Sequence, residues 1–142
     1  MALSTETRIA QFAERLARRD APVPPDPARF EPARVLDRLQ RALQLLTQMR
    51  LYKGRLTLAR MCYAFLEVPE LSGAALQQAA GIGDIAGSRA RTRLERAGLL
   101  QHYYPGSQRR YRLTRFGEDW LLAVAQDTKP PAPSVAAVPA AE

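Results

Sequence analysis

Arg89, Arg91, Arg93, Arg96, Arg109, Arg110, Arg112 and Arg115 all fall between residues 85 and 115 of this 142-residue chain. One acid, Glu95, lies among them, so the stretch carries a charge of +7. The remaining 13 basic and 13 acidic residues cancel, and the entire formal excess of +7 comes from this segment. Guanidinium groups stay charged at any physiological pH. Their forked donors match phosphate oxygens and the O6/N7 edge of guanine. A soluble surface with no such partner mixes its signs, whereas a one-sign field this concentrated points to a polyanion.

Other chemistry finds little support. With one histidine, one cysteine and no clustered acids, the sequence offers no evident nucleophile–base pair and no metal-ligand spacing. The expectation is therefore a protein that is not an enzyme and needs no cofactor or metal. Cys62 lies on an apolar helical face and reads as packing rather than a redox site. His102 has no carboxylate near it in sequence and reads as a surface residue of a strand. Gly81-Ile82-Gly83 lacks the strand that should precede a nucleotide-binding glycine motif. Glu118 and Asp119 are adjacent on a helix, where neighbours point apart. Tyr103, Tyr104 and Tyr111 read as packing between a hairpin and the core rather than as base-stacking platforms.

The elements that must hold the arginines follow from periodicity and breakers. Ser4 can cap a helix over residues 5–19, with Ile9, Phe12, Ala13 and Leu16 at helical spacing. The proline-rich stretch 20–32 reads as an extended linker. A second helix is expected over 32–51, where Val35, Leu39, Ala42, Leu46 and Met49 repeat at steps of four and three. Such a stripe serves either an intrachain core or a dimer seam. A helix placed ahead of a small domain has little else to cover it, so dimerisation is favoured. Gly54 reads as the break before a helix over 55–67, which Pro69 ends. Ser72 can cap a short helix over 73–80, residues 81–84 form a turn, and a helix follows to 97 with Gly98 as its stop. Strands over 99–104 and 109–114, joined by Pro105-Gly106-Ser107-Gln108, predict a hairpin, and a last helix covers 115–126. From 127 the Pro/Ala-rich tail reads as disordered. The implied division is 1–54 for N-terminal helices and linker, 55–126 for the main domain, and 127–142 for the tail.

The order short helix, turn, helix, hairpin is that of a winged helix-turn-helix, so the fold expected is mainly α with a small β-hairpin and an N-terminal helical extension. Two motifs carry a resemblance. Leu94-Glu95-Arg96-Ala97-Gly98-Leu99-Leu100 looks like the end of a winged-helix recognition helix, and Tyr111-Arg112-Leu113-Thr114-Arg115-Phe116-Gly117 resembles the second wing strand and the entry to the next helix. Across about residues 56–125 the chain is similar to MarR-type transcriptional regulators. The positions three and seven before Leu94, usually apolar in that family, hold Arg91 and Gly87. The resemblance implies a homodimer joined by its outer helices, with Val35, Leu39, Ala42, Leu46 and Met49 as the seam.

On this reading the recognition helix spans about 86–97 and the wing 99–114. Taking Ala86, Ala90, Leu94 and Ala97 as the buried stripe turns Ser88, Thr92, Glu95 and Arg96 outward, sets Arg89 and Arg91 beside them, and leaves Arg93 nearer the buried edge. That register keeps Arg91 from unpaired burial. Gln108, Arg109, Arg110 and Arg112 of the wing are expected to anchor on phosphate or in a minor groove. All these cations are expected to converge on one surface that meets double-stranded DNA. The function expected is sequence-specific transcriptional regulation. The alternative is an interaction or assembly adaptor of a mobile-element, replication or partition system, with a protein partner and nonspecific DNA contact. No apolar run reaches the roughly 18–20 residues that span a bilayer, and the first twenty residues lack a secretory apolar core, which suits a cytoplasmic protein.

Overall fold

In the computed structural model, which describes residues 4–133, each element starts from a local signal. The Ser4 hydroxyl accepts the Thr7 amide at 3.2 Å and opens α1 (Thr5–Arg19). This helix buries none of its residues, and Ile9 and Phe12 are 63% and 54% exposed. Pro32 occupies the first turn of α2 (Pro32–Thr47), where a missing N–H breaks no helical bond. Gln48, left-handed at φ 57°, ends that helix, and α3 (Tyr52–Ala64) follows. Gly54 is therefore not the break expected. It sits inside the first turn of α3, and the cap at Gln48 separates the two helices.

The core is continuous from α2 to the last helix, α6 (Arg115–Ala125). Val35, Leu39 and Leu43 of α2 are buried with Leu58, Met61 and Cys62 of α3 and with Trp120, Leu121 and Val124 of α6. Burying a leucine completely contributes about 1.5–3 kcal/mol, so the α2 stripe is a principal source of stability. Arg38 fastens the same helices from outside the apolar layer. Its Nε donates to the Val124 carbonyl at 3.0 Å, which also accepts the Asp127 amide, and its Nη2 donates to the Ala125 carbonyl at 2.7 Å at the end of α6.

This arrangement corrects two expectations. Val35 and Leu39 are fully enclosed by the chain itself, and Ala42, Leu46 and Met49 pack partly buried against the same core, so the stripe is not an open dimer seam. Periodicity reports that a helix face is covered and does not identify its cover. For the same reason residues 1–54 do not form a separate unit, because α2 shares the core of the helices that follow.

The remaining elements form a small antiparallel sheet against helices. β1 (Leu71–Ser72) leads into α4 (Gly73–Ala80) and α5 (Asp84–Arg96), then β2 (Leu100–Tyr103) and β3 (Arg110–Leu113). The strand order is β1-β3-β2, with Leu71 opposite Tyr111, Ser72 opposite Arg110, and Leu100 opposite Leu113. Among the described residues the chain is thus mainly helical with a three-stranded sheet, one strand more than the hairpin expected. Thr114 joins the sheet to α6. Its amide donates to the Leu99 carbonyl at 3.0 Å, and its hydroxyl accepts the Gly117 amide at 2.9 Å. A β-carbon on residue 117 would lie 2.1 Å from the Leu99 carbonyl oxygen, which explains the glycine three residues after the cap.

Residues 127–133, the start of the tail expected to be disordered, run back along the helices. The Thr128 amide donates to the Ala123 carbonyl at 2.8 Å, and Pro130, Pro131 and Pro133 help line an apolar cavity of about 470 Å³ between α2 and α6. The rest of the tail, 134–142, lies outside the described residues. Among the described residues no helix is long and apolar enough to cross a membrane.

Candidate nucleic-acid interface

The α4–α5 pair sets the stage. The Ser72 hydroxyl caps α4 by accepting the Ala75 amide at 3.1 Å. Gly87 then lets α5 lie directly on the side chain of Gln77, since a β-carbon there would meet Gln77 Cγ at 2.3 Å. Gly87, Ala90 and Leu94 form the buried line of α5. Ala86 is exposed, so the inward stripe is rotated from the one expected. The helix is turned by close approach at Gly87 rather than by an apolar residue at 86.

That rotation decides where the cations go. Ser88, Arg89, Thr92, Arg93 and Arg96 are all exposed and, together with Leu46, Thr47 and Ala97, line a groove of about 590 Å³. Arg93 therefore belongs to the outer face and not to the buried edge. Arg89 and Arg93 also border a second hollow of about 370 Å³ against Met49, Gly54 and Thr57 of the α2–α3 side. Among the described residues none of Arg89, Arg93 and Arg96 forms an ion pair with a carboxylate. The Thr92 hydroxyl donates to the Ser88 carbonyl at 3.0 Å and so leaves its own lone pairs facing out. Three unneutralised guanidiniums on successive turns, with two hydroxyls between them, make a rod-shaped positive face.

Arg91 is the main correction. It is half-buried and faces the sheet. Its Nη1 donates to Gln77 Oε1 at 2.6 Å, its Nε donates to the Tyr111 hydroxyl at 3.1 Å, and its guanidinium carbon stands 5.4 Å from the centre of the Tyr111 ring. The sequence argues against burial at this position, because an unpaired charge is costly. The pairing that removes the cost comes from residues 14 positions before and 20 after it.

The hairpin divides its own arginines. Strand alternation and the register put Tyr111 and His102 on one face, and Arg110, Arg112, Gln101 and Tyr103 on the other. The Tyr111 face meets α5, through Arg91 and through His102, whose Nδ1 lies 3.0 Å from Glu95 Oε2. His102 thus has a carboxylate partner after all, the single acid of the basic stretch. Arg110 points to the reverse face, 3.9 Å from Glu70, and Arg112 lies over the Tyr103 ring at 4.2 Å. The Glu70 carboxylate, by hydrogen bonding, holds the Tyr103 phenol above its usual range. Gln108 is exposed in the connecting turn. Arg109, also exposed, donates from Nε to the Tyr104 hydroxyl at 3.0 Å and from Nη1 to the Tyr111 hydroxyl at 3.2 Å. The Tyr111 and Tyr104 hydroxyls thereby hold its charge still more firmly.

The expected convergence is therefore partial. Arg89, Arg93 and Arg96 share the outer face of α5, and Arg109 reaches the Tyr111 hydroxyl that also receives Arg91. Arg110 and Arg112 face the other way, and Arg115 opens α6 beside a cavity it shares with Arg112, Glu70 and Glu118. Sequence reasoning missed Gln77, Tyr104 and the hydroxyl of Tyr111 as partners, because each acts across distant elements. No protein-family model matches this chain, and comparison with curated proteins and with solved structures gives no match either.

Proposed function

We propose that this chain is a winged helix-turn-helix protein that binds double-stranded DNA sequence-specifically and regulates transcription. In this reading α4 and α5 are the helix-turn-helix pair, α5 enters the major groove, and the β2–β3 hairpin is the wing. The observation that carries it is the outer face of α5, where Arg89, Arg93 and Arg96 stand exposed beside Ser88 and Thr92 with no carboxylate partner among the described residues. A rod about as wide as the major groove, with positive and hydroxyl groups along its outer face, is suited to phosphates and to guanine edges. Arg109 anchors the wing on backbone phosphate. The reading needs no convergence of Arg110 and Arg112, whose face is turned from α5.

Selection of bound sequences from random duplexes tests the proposal. The expected outcome is an enriched motif, bound with a strong salt dependence. A protein with Arg89, Arg93 and Arg96 all changed to Ala should lose it while keeping its helical circular dichroism. Failure of the wild-type protein to bind any duplex would refute the reading.

One observation favours a second reading, the assembly adaptor with nonspecific DNA contact. α1 leaves Ile9 and Phe12 uncovered, a feature that suits a protein partner. Binding with salt dependence but no enriched motif would select that reading instead.

A further inference from the structure

Five side chains join the helix-turn-helix to the hairpin in an unbroken polar line. Asp84 Oδ1 accepts from Gln77 Nε2 at 2.8 Å, and Gln77 Oε1 accepts from Arg91 Nη1 at 2.6 Å. Tyr111 Oη then accepts from Arg91 Nε at 3.1 Å and from Arg109 Nη1 at 3.2 Å. The Tyr111 ring is 2% exposed, so this shared oxygen is fixed by packing, whereas Arg109 stands in solvent on a turn. An exposed arginine ordinarily samples many rotamers and loses that freedom when it binds a ligand. Here two phenolic hydroxyls, one of them the packed Tyr111, already hold its guanidinium before any ligand arrives.

We infer that Arg91 and Tyr111 are positioning residues for DNA binding: they fix Arg109 relative to α5 and touch no DNA themselves. The inference rests on the DNA-binding reading above and adds to it. α5 and the wing are one preorganised surface because two cations share one neutral acceptor. Charge makes this possible. Two guanidiniums repel, and a hydroxyl oxygen with lone pairs to spare lets both approach without a carboxylate that would cancel the field offered to phosphate.

Tyr111→Phe tests this, since it removes one oxygen, changes no charge and keeps the buried ring. Affinity for a bound duplex is measured across a salt series for the wild type, Tyr111→Phe, Arg91→Lys, Arg109→Ala and the double variant Tyr111→Phe/Arg109→Ala. Each phosphate contact contributes about one unit to the slope of log affinity against log salt. Tyr111→Phe and Arg91→Lys should each lower that slope by about one, although neither alters net charge, and should weaken binding about tenfold. Arg109→Ala should do the same, and the double variant should match the single ones. Unchanged affinity and slope in a folded Tyr111→Phe protein, or additive losses in the double variant, would overturn the inference. A wild-type protein with no duplex binding would refute the DNA reading instead. The brace would then be judged by trypsin, which should cut after Arg109 and Arg110 several-fold faster in Tyr111→Phe; equal cutting rates would sink it.

Discussion

Gln77 occupies the space that a β-carbon on Gly87 would need, its Cγ lying 2.3 Å from that position. The contact brings α4 and α5 together closely enough for the Gln77 amide to hold Asp84 with one end and Arg91 with the other. Gly87→Ala should therefore destabilise the fold by about 1–2 kcal/mol in urea unfolding: overpacking outweighs the roughly 1 kcal/mol that alanine gains in a helix. Adding Gln77→Ala should recover part of that loss by relieving the clash, though it strips Arg91 of a partner.

The two arginine faces should separate in binding. Arg93→Ala is expected to lower the salt slope of duplex binding by about one, while Arg112→Ala, on the reverse face of the sheet and stacked on Tyr103, should leave it unchanged. Equal effects from both substitutions would mean that the duplex reaches around the hairpin.

Leu39 discriminates a core helix from a seam. Leu39→Ala should cost about 2–5 kcal/mol of thermal or urea stability, as deletion of fully buried leucines does, without changing the mass found by light scattering. A drop in mass with little loss of stability would restore the seam.

Cys62 should be inert while the protein is folded. Burial pushes its thiol up to about 12, so the neutral form is favoured in the native state and the thiolate only after unfolding. The raised value means that this group's contribution to stability is complete below its ordinary value of 9.0 and is lost as pH rises from there towards about 12. A disulfide reagent at pH 8 should label it in urea and not in buffer.

Thr114 tests the joint between sheet and helix. Thr114→Ala removes the cap on the Gly117 amide and the hydroxyl bond to the Gly98 carbonyl, and should cost about 1–2 kcal/mol in urea unfolding. Thr114→Ser, which keeps the oxygen, should cost less.

Features written in short stretches of sequence were legible. Ser4, Ser72 and Gly98 mark a helix start or stop by themselves, because a cap involves residues a few positions apart. β1 escaped because two residues are too few to alternate, and Leu71–Ser72 becomes a strand only by pairing with Tyr111 and Arg110, some forty positions later. The rotation of α5 escaped for a related reason. Gly87 has no hydropathy to read, and the partners of Arg91 lie on two other elements. The α2 stripe reads as a covered face whose cover the sequence does not name, since Val35 and Leu39 would look the same against α6 or against another chain.

The clasp of Arg38 on the carbonyls of Val124 and Ala125 has a practical consequence for dissection of the molecule. An excised fragment starting at residue 55 would bare the apolar sides of Met61 and Trp120 and leave the end of α6 unclasped. The smallest autonomous piece should begin instead near Glu31, just ahead of α2, and should survive removal of α1 because that helix buries nothing. Proteolysis that nicks the proline-rich connection should accordingly release a stable, independently refolding remnant.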